Sequence, residues 1–197
     1  MFGLFLSLLL VYNGNSILMM NGRRIMIIEN VYNNVIKTLR QFTNNTNRLD
    51  QKSSKRTVNY LEWCKLKTEI IDKEKDFILT EDKKALVKRG NVLWVDFGFN
   101  IGCEFGGRHP AIIVKEIGKG IYVIPVDSGK IPEKNKDKNY YINIPYIFGF
   151  KKRPRYCNTY KMVCIDPRRI DFTGDCGRVH GKIMTKISDS LKSNVIC

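Results

Sequence analysis

The sequence has few of the features that mark a metal site or a secreted protein. Its six cysteines are scattered without a Cys-x-x-Cys pair, which argues against a zinc ribbon or a thioredoxin-like redox site. No grouping of His, Cys and carboxylate residues has metal-ligand spacing, so we expect no metal ion and no other cofactor. The thiols are expected to be reduced, as in a cytoplasmic protein.

No hydrophobic run is long enough to predict a membrane anchor. The opening segment MFGLFLSLLLVY is apolar for about a dozen residues, whereas a spanning helix needs roughly 18 or more. Export is the less favoured interpretation, because Arg23 and Arg24 follow the apolar run instead of preceding it. A further hypothesis is that residues 1–25 are a misassigned start, since Gly22-Arg23-Arg24 can be encoded by a tract like a ribosome-binding site. Any native peptide N-terminal to Met26 would exclude it.

Acidic residues are outnumbered throughout the chain. There are 19 Asp and Glu against 34 Lys and Arg, which gives a formal net charge of +15 at pH 7. Such an excess favours a polyanionic partner, because each Lys or Arg that neutralises a phosphate releases a condensed counterion. A well-solvated basic surface is the alternative interpretation.

Residues 26–87 are predicted to form a helical extension that contains a polar linker. Apolar residues recur every fourth position, as in an amphipathic helix: Ile27, Val31, Val35 and Leu39. The stretch QFTNNTNRLDQKSSK (41–55) has almost no apolar content and predicts the linker. A second helix is expected to begin at Thr57 and to end before charged segments.

From Arg89 the pattern changes to short runs rich in Val, Ile and Tyr, which predict β-strands. They begin at NVLWVDF (91–97) and continue at 111–117, 120–126, 140–144 and 160–166. From His180 the apolar period becomes helical again through Ile183, Ile187, Leu191 and Val195. The predicted fold is mainly β, or α+β, with a small antiparallel barrel closed by a helix.

Two segments resemble the MazF/PemK family of toxin endoribonucleases. The loop GCEFGGRHP (102–110) has the length and glycine placement of the family's Gly-Ser-Glu-x-Gly-Gly-x-Arg-Pro loop, and CIDPRRIDFTG (164–174) resembles the segment before its last helix. The resemblance covers residues 88–197 and implies an SH3-like barrel. It implies an enzyme that cuts single-stranded RNA, such as mRNA, without a metal, using the substrate's own 2′-hydroxyl as nucleophile.

The resemblance also implies the catalytic residues, with two departures from the usual pattern. His109 stands where the family usually has Arg, next to Arg108, and Asp127 stands at the usual Thr, followed by Ser128. A histidine, with an ordinary pKa of about 6.5, suits acid/base work near neutrality, and Arg108 suits bidentate contact with a phosphate. Asp127 is expected either to orient His109 or to form a turn.

Substrate binding is expected in the signature loop and in a basic segment between aromatic residues. The candidate residues are Glu104, Gly106, Gly107, Lys130, Lys151, Lys152, Arg153 and Arg155. Cations beside aromatic rings suit single-stranded RNA, because they combine backbone attraction with base stacking. A solvated basic loop is the alternative interpretation of residues 151–155.

The resemblance implies two protein partners, a second copy in a homodimer and an acidic antitoxin that folds onto the basic groove. It leaves a second function open, because related barrels poison DNA gyrase without cutting RNA. Loss of the usual Arg and Thr would fit such a non-catalytic binder. A DNA-binding regulator built on the N-terminal helices is less favoured, because that region has no clear helix-turn-helix pattern.

Overall fold

The computed structural model describes residues 27–194, and the expectations for residues 1–25 and for Val195 lie outside them. The described chain divides between Asn59 and Tyr60 into two compact units. This division falls inside the predicted helical extension, so the later part of that extension belongs to the same unit as the strands. Within residues 27–194 no helix is long and apolar enough to cross a membrane.

Two helices account for most of the N-terminal extension. Residues 27–44 are helical (α1), and a second helix, Gln51–Asp72 (α2), runs from the first unit into the second. The predicted linker is therefore largely helical, and only residues 45–50 form a turn. The Asp50 carboxylate accepts the amide protons of Lys52 at 3.1 Å and Ser53 at 3.0 Å, a cap that starts α2 before the expected Thr57.

After α2, the described part of the second unit contains a short helix, nine strands and a final helix. The short helix α3 spans Glu81–Leu86, where only a charged segment was expected, and its acidic first turn suits a helix N-terminus. The strands are β1 Asn91–Asp96, β2 Arg108–Ile117, β3 Gly120–Ser128, β4 Tyr141–Ile144, β5 Ile147–Phe148, β6 Arg155–Asn158, β7 Val163–Ile165, β8 Ile170–Asp171 and β9 Gly177–Val179. The final helix, α4, spans Gly181–Asn194.

The strands form one nearly closed antiparallel sheet, which confirms the predicted barrel. Their order is β4-β6-β3-β2-β1-β9-β5, with β7 paired to β3 and β8 paired to β1. The first four predicted strands are confirmed. Of the predicted strand 160–166, only Val163–Ile165 form a strand (β7), and a 3₁₀ turn at Thr159–Lys161 precedes it. Strands β5, β8 and β9 were not expected, because runs of two or three residues are too short to show a periodic pattern. Strand β6 was not expected either, because it begins at Arg155, in the segment interpreted as a basic loop.

Each face of the sheet carries its own hydrophobic core. Ile112 of β2 and Ile187 of α4 belong to one core, which confirms the amphipathic final helix. Ile113 of β2 belongs to the other, together with Phe97. Neighbouring residues of a strand point to opposite faces, so β2 contributes side chains to both cores. Its polar side chains likewise alternate between the two faces of the sheet.

Candidate active site

The loop between β1 and β2 is closed by two backbone hydrogen bonds. The Phe97 amide donates to the Gly107 carbonyl at 2.8 Å, and the Gly107 amide donates to the Gly98 carbonyl at 2.6 Å. A Cβ atom on Gly106 would lie 2.8 Å from that Gly98 oxygen, and Gly107 has a φ of +82°. The two signature glycines therefore shape the loop, since no other residue fits these positions without strain. Glu104, also expected to bind substrate, is exposed at the loop's tip.

Strand β2 directs Arg108 and His109 to opposite faces of the sheet. Arg108 lies opposite Asp96 of β1, and its guanidinium forms an ion pair with Asp171 and stacks over the Trp94 ring at 5.3 Å. The structure therefore separates the two residues that the signature motif places side by side.

The Arg108 guanidinium is already ion-paired with the Asp171 carboxylate. The pKa of Asp171 lies below the usual range, chiefly because the Thr173 hydroxyl donates to it at 2.7 Å; the amides of Thr173 and Gly174 and the charge of Arg108 add to the effect. Asp171 is therefore ionised at neutral pH. A phosphate at Arg108 would have to compete with this carboxylate for the same donors.

His109 lies on the other face, with Asp127 and Lys161. Ala111 of β2 pairs with Pro125 of β3, and the charge of His109, two residues before Ala111, acts on Asp127, two residues after Pro125. Burial raises the pKa of Asp127 above its usual value, and the positive charges of His109 and Lys161 oppose that rise. The structure thus brings together an imidazole, a half-buried carboxylate and an ammonium group.

Lys161 was not expected from the sequence. It ends the 3₁₀ turn before β7, and its ammonium group donates to the Cys103 carbonyl at 2.8 Å. It also lies 5.6 Å from the centre of the Phe105 ring, which meets the His109 ring edge-to-face at 4.6 Å. No pattern in the sequence singles this lysine out, because only the fold of the β1–β2 loop brings residues 103 and 105 to it.

A cleft of about 470 Å³ lies beside this cluster. Its lining includes Glu104, Phe105, Asn158, Tyr160 and Lys161. Two aromatic rings and an ammonium group are the contacts that an unstacked base and its phosphate use. In the part of the chain that the structure describes, no three His, Cys, Asp or Glu side chains lie close enough together to hold a metal ion.

A comparison with protein families identifies the chain. The profile described as "PemK-like, MazF-like toxin of type II toxin-antitoxin system" matches residues 88–195. The chain belongs to this family. Toxins of the PemK/MazF family are generally endoribonucleases. No curated protein matches the chain.

Several solved structures are similar to this PemK/MazF chain at low sequence identity. MazF from Deinococcus radiodurans (form I) is 18% identical over 54% of this chain and 93% of its own length, with a TM-score of 0.43. The MazE-MazF structure (form II) from the same organism is 16% identical over 54% and 91%, with a TM-score of 0.38. The Mycobacterium tuberculosis toxin MazF-mt6 is 7% identical over 52% and 92%, with a TM-score of 0.39.

In this PemK/MazF chain a second cleft adjoins the end of β3, where Ser128 is exposed. Its volume is about 610 Å³, and four cations line it together with Ile131, Asn143, Pro145 and Pro154: Lys130, Lys136, Lys152 and Arg153. The Gly129 amide donates to the Pro154 carbonyl at 2.9 Å and fixes the cation-bearing loop beside β3. Three of the expected substrate-binding cations, at positions 130, 152 and 153, thus share one cleft.

Arg155 does not share this cleft, although the sequence placed it among the substrate-binding residues. Its side chain is 2% exposed, and its guanidinium donates to the carbonyls of Lys151 at 2.9 Å and Arg153 at 3.4 Å. It also stacks over the Phe150 ring at 5.6 Å. Arg155 therefore stabilises the backbone of the basic loop from its buried position. Lys151 takes part in this through its backbone carbonyl.

The raised pKa of Asp127 predicts how an uncharged replacement should affect stability. Asp127→Asn should raise Tm at pH 7, because burial disfavours the ionised carboxylate more than its neighbours favour it. The difference should shrink as the pH falls through the raised pKa and vanish below the ordinary value of 3.8, where both side chains are neutral. Thermal melts from pH 3 to pH 7 test this, and a lower Tm at pH 7 would contradict it.

Proposed function

We propose that this protein is an endoribonuclease that cleaves single-stranded RNA, such as mRNA, by attack of the 2′-hydroxyl on the neighbouring phosphate without a metal ion. One observation carries the proposal, namely the placement of His109 against Asp127, with Lys161 nearby at the edge of an open, aromatic-lined cleft. These are the proton-transfer and charge-stabilising groups that such a reaction requires.

In the proposed reaction His109 accepts the proton of the ribose 2′-hydroxyl. The new bond between the 2′-oxygen and phosphorus forms while the bond from phosphorus to the 5′-oxygen breaks. The Lys161 ammonium stabilises the extra negative charge on phosphorus, and the leaving 5′-oxygen takes a proton from water. Asp127 stabilises the imidazolium that forms, because a carboxylate beside it favours the charged ring. The products are a 2′,3′-cyclic phosphate and a 5′-hydroxyl end.

The direct test is incubation of the purified protein with a mixed RNA in EDTA. Discrete fragments should form, and polynucleotide kinase should label their new ends without prior phosphatase treatment, because those ends carry a 5′-hydroxyl. RNA that is bound but remains intact would identify the non-catalytic binder. Fragments that form only after Mg²⁺ is added would refute the metal-independent mechanism.

The cation-lined cleft at the end of β3 is proposed to bind the RNA backbone. The double variant Lys152→Ala/Arg153→Ala should lower the slope of log Kd against log salt by about 1.4, because each phosphate contact on a single strand contributes about 0.7. Cleavage at saturating RNA should change little. The control is Lys115→Ala/Lys119→Ala, since this pair lies toward the β2–β3 hairpin, away from His109 and Asp127. An equal loss of slope in both would contradict a localised cleft.

We propose two protein partners, a second copy of the chain and an acidic antitoxin. A peptide rich in carboxylates would suit the same four cations as the RNA backbone, and binding would order it. Sedimentation at micromolar concentration tests the homodimer, and a result of monomer alone would count against it. An acidic peptide that fails to compete with RNA would count against the shared cleft.

A further inference from the structure

The helix that precedes the family-matched segment reaches the loop of the candidate active site. Residues from Tyr60 onward in α2 belong to the same compact unit as the barrel. The half-buried Trp63 ring packs against Gly98: a Cβ atom on Gly98 would lie 2.4 Å from ring atoms of Trp63. Gly98 also has a φ of +88°. Three residues before Trp63, Tyr60 meets Phe99 edge-to-face at 5.2 Å. Side chains three apart share one helix face, so α2 presents two rings to this loop.

Arg169 connects the Trp63 ring to the backbone of the same loop. Its guanidinium stacks over the ring at 5.1 Å and donates to the Phe97 carbonyl at 2.9 Å. A cation over an indole face is attracted to the ring, and the attraction is stronger when the pair is desolvated. Arg169 is partly buried, so the ring and the guanidinium hold each other in place.

From Phe97 the constraint continues to His109. The Asn100 side-chain Nδ2 donates to the Phe97 carbonyl at 3.2 Å and to the Phe105 carbonyl at 2.5 Å, so the two ends of the loop are tied together. The Phe105 ring meets Phe97 at 5.2 Å and His109 at 4.6 Å, both edge-to-face. A shift at the Trp63 end of the loop would therefore move the ring that packs against the imidazole.

We propose that Trp63 is a positioning residue, which holds the β1–β2 loop so that Phe105 sets the orientation of His109. The inference rests on the proposed function of His109, but it adds a requirement from outside residues 88–195, the segment that the family profile matches. Trp63 touches no reacting atom in this scheme. Its effect is to keep the imidazole where it can reach the 2′-hydroxyl, and a misplacement of about 1 Å can lower a rate by about 10²-fold.

The test compares Trp63→Ala with Trp63→Phe in the full chain. Trp63→Ala should lower the single-turnover rate at saturating RNA by about 10-fold to 10²-fold, while Kd for RNA stays within about twofold, because orientation is lost and the cation-lined cleft is intact. Trp63→Phe keeps a ring against Gly98 and should restore most of the rate. Ile70→Ala is the matched control, since Ile70 is an apolar residue of α2 that lines a different cleft.

A second measurement separates this inference from the proposed activity. The chain has only two histidines, so the imidazole NMR signals of His109 can be assigned with one variant. Trp63→Ala should shift those signals, because the ring current of Phe105 acts on them, and Ile70→Ala should not. If the wild type cuts no RNA, the proposed function fails, and the NMR shift alone then decides whether Trp63 positions His109.

Two outcomes would overturn the inference. One is a folded Trp63→Ala protein with full rate and unchanged His109 signals. The other is an equal loss of rate in Ile70→Ala, which would mean that α2 acts only through general stability. If Trp63→Ala does not fold, the comparison is made between Trp63→Phe and Trp63→Leu. Phenylalanine has an aromatic ring and leucine has none, while their side-chain volumes differ little. Equal rates and equal His109 signals in those two would likewise refute the role of the ring.

Discussion

Replacing His109 with alanine should lower the cleavage rate by about 10²–10⁴-fold, the usual contribution of one positioned proton-transfer group. RNA binding should survive, because the four cations of the cleft beside β3 are unaffected. The measurement is the single-turnover rate at saturating RNA, together with Kd from a binding assay. Full activity in His109→Ala would contradict the proposed mechanism and leave Asp127, Ser128 and Arg108 as the remaining candidates among the catalytic residues expected from the sequence.

A companion variant separates proton transfer from simple positive charge. His109→Arg restores the family's usual residue at this position. The wild-type rate should depend on pH because an imidazole transfers the proton, and an active His109→Arg enzyme should lose that dependence. If both proteins share one pH profile, the imidazole is not the titrating group.

Replacing Lys161 with alanine should lower the same rate by about 10²–10³-fold, the typical effect of removing one preorganised charge stabiliser. Lys161 lies on the face of His109, whereas Arg108 is held on the other face by Asp171. Arg108→Ala should therefore have the smaller effect on the chemical step. The sequence motif alone assigns the phosphate to Arg108, so the two variants decide between the cations.

The comparison needs a control for loop structure, because the Lys161 ammonium also donates to the Cys103 carbonyl. Lys161→Arg keeps the charge and a donor, and it should retain more activity than Lys161→Ala. If Arg108→Ala loses more activity than Lys161→Ala at equal stability, the phosphate lies on the Arg108 face and the proposed site is misplaced.

The barrel could be predicted from the sequence because its longer strands carry their own signals. The β2–β3 hairpin is marked by Gly118 and Gly120 between two apolar runs, and β-branched residues fill both strands. Helix α2 could not be delimited, because its start depends on one Asp50 cap within a polar stretch that resembles a linker. The two-residue strands β5 and β8 exist only through pairing with distant partners, which local patterns do not record.

The candidate site was predictable in part. The resemblance identified His109 in the signature loop and Asp127 directly after the predicted strand 120–126, and the folded chain brings the charge of His109 close to Asp127. It could not assign Arg108 and His109 to different faces, because motif matching ignores the alternation of side chains along a strand. Lys161 and Trp63 lie outside every motif, and their proposed roles depend on contacts across the folded chain.

The buried Arg155 fixes the backbone of the basic loop. Its guanidinium donates to the carbonyls of residues 151 and 153, so the backbone there is held in place by the protein itself. Ordering a mobile backbone opposes binding by roughly 1–2 kcal/mol for each residue. A loop of five residues that is ordered in advance avoids most of that entropy loss, so in the proposed function Lys152 and Arg153 would meet the phosphates as a preorganised pair.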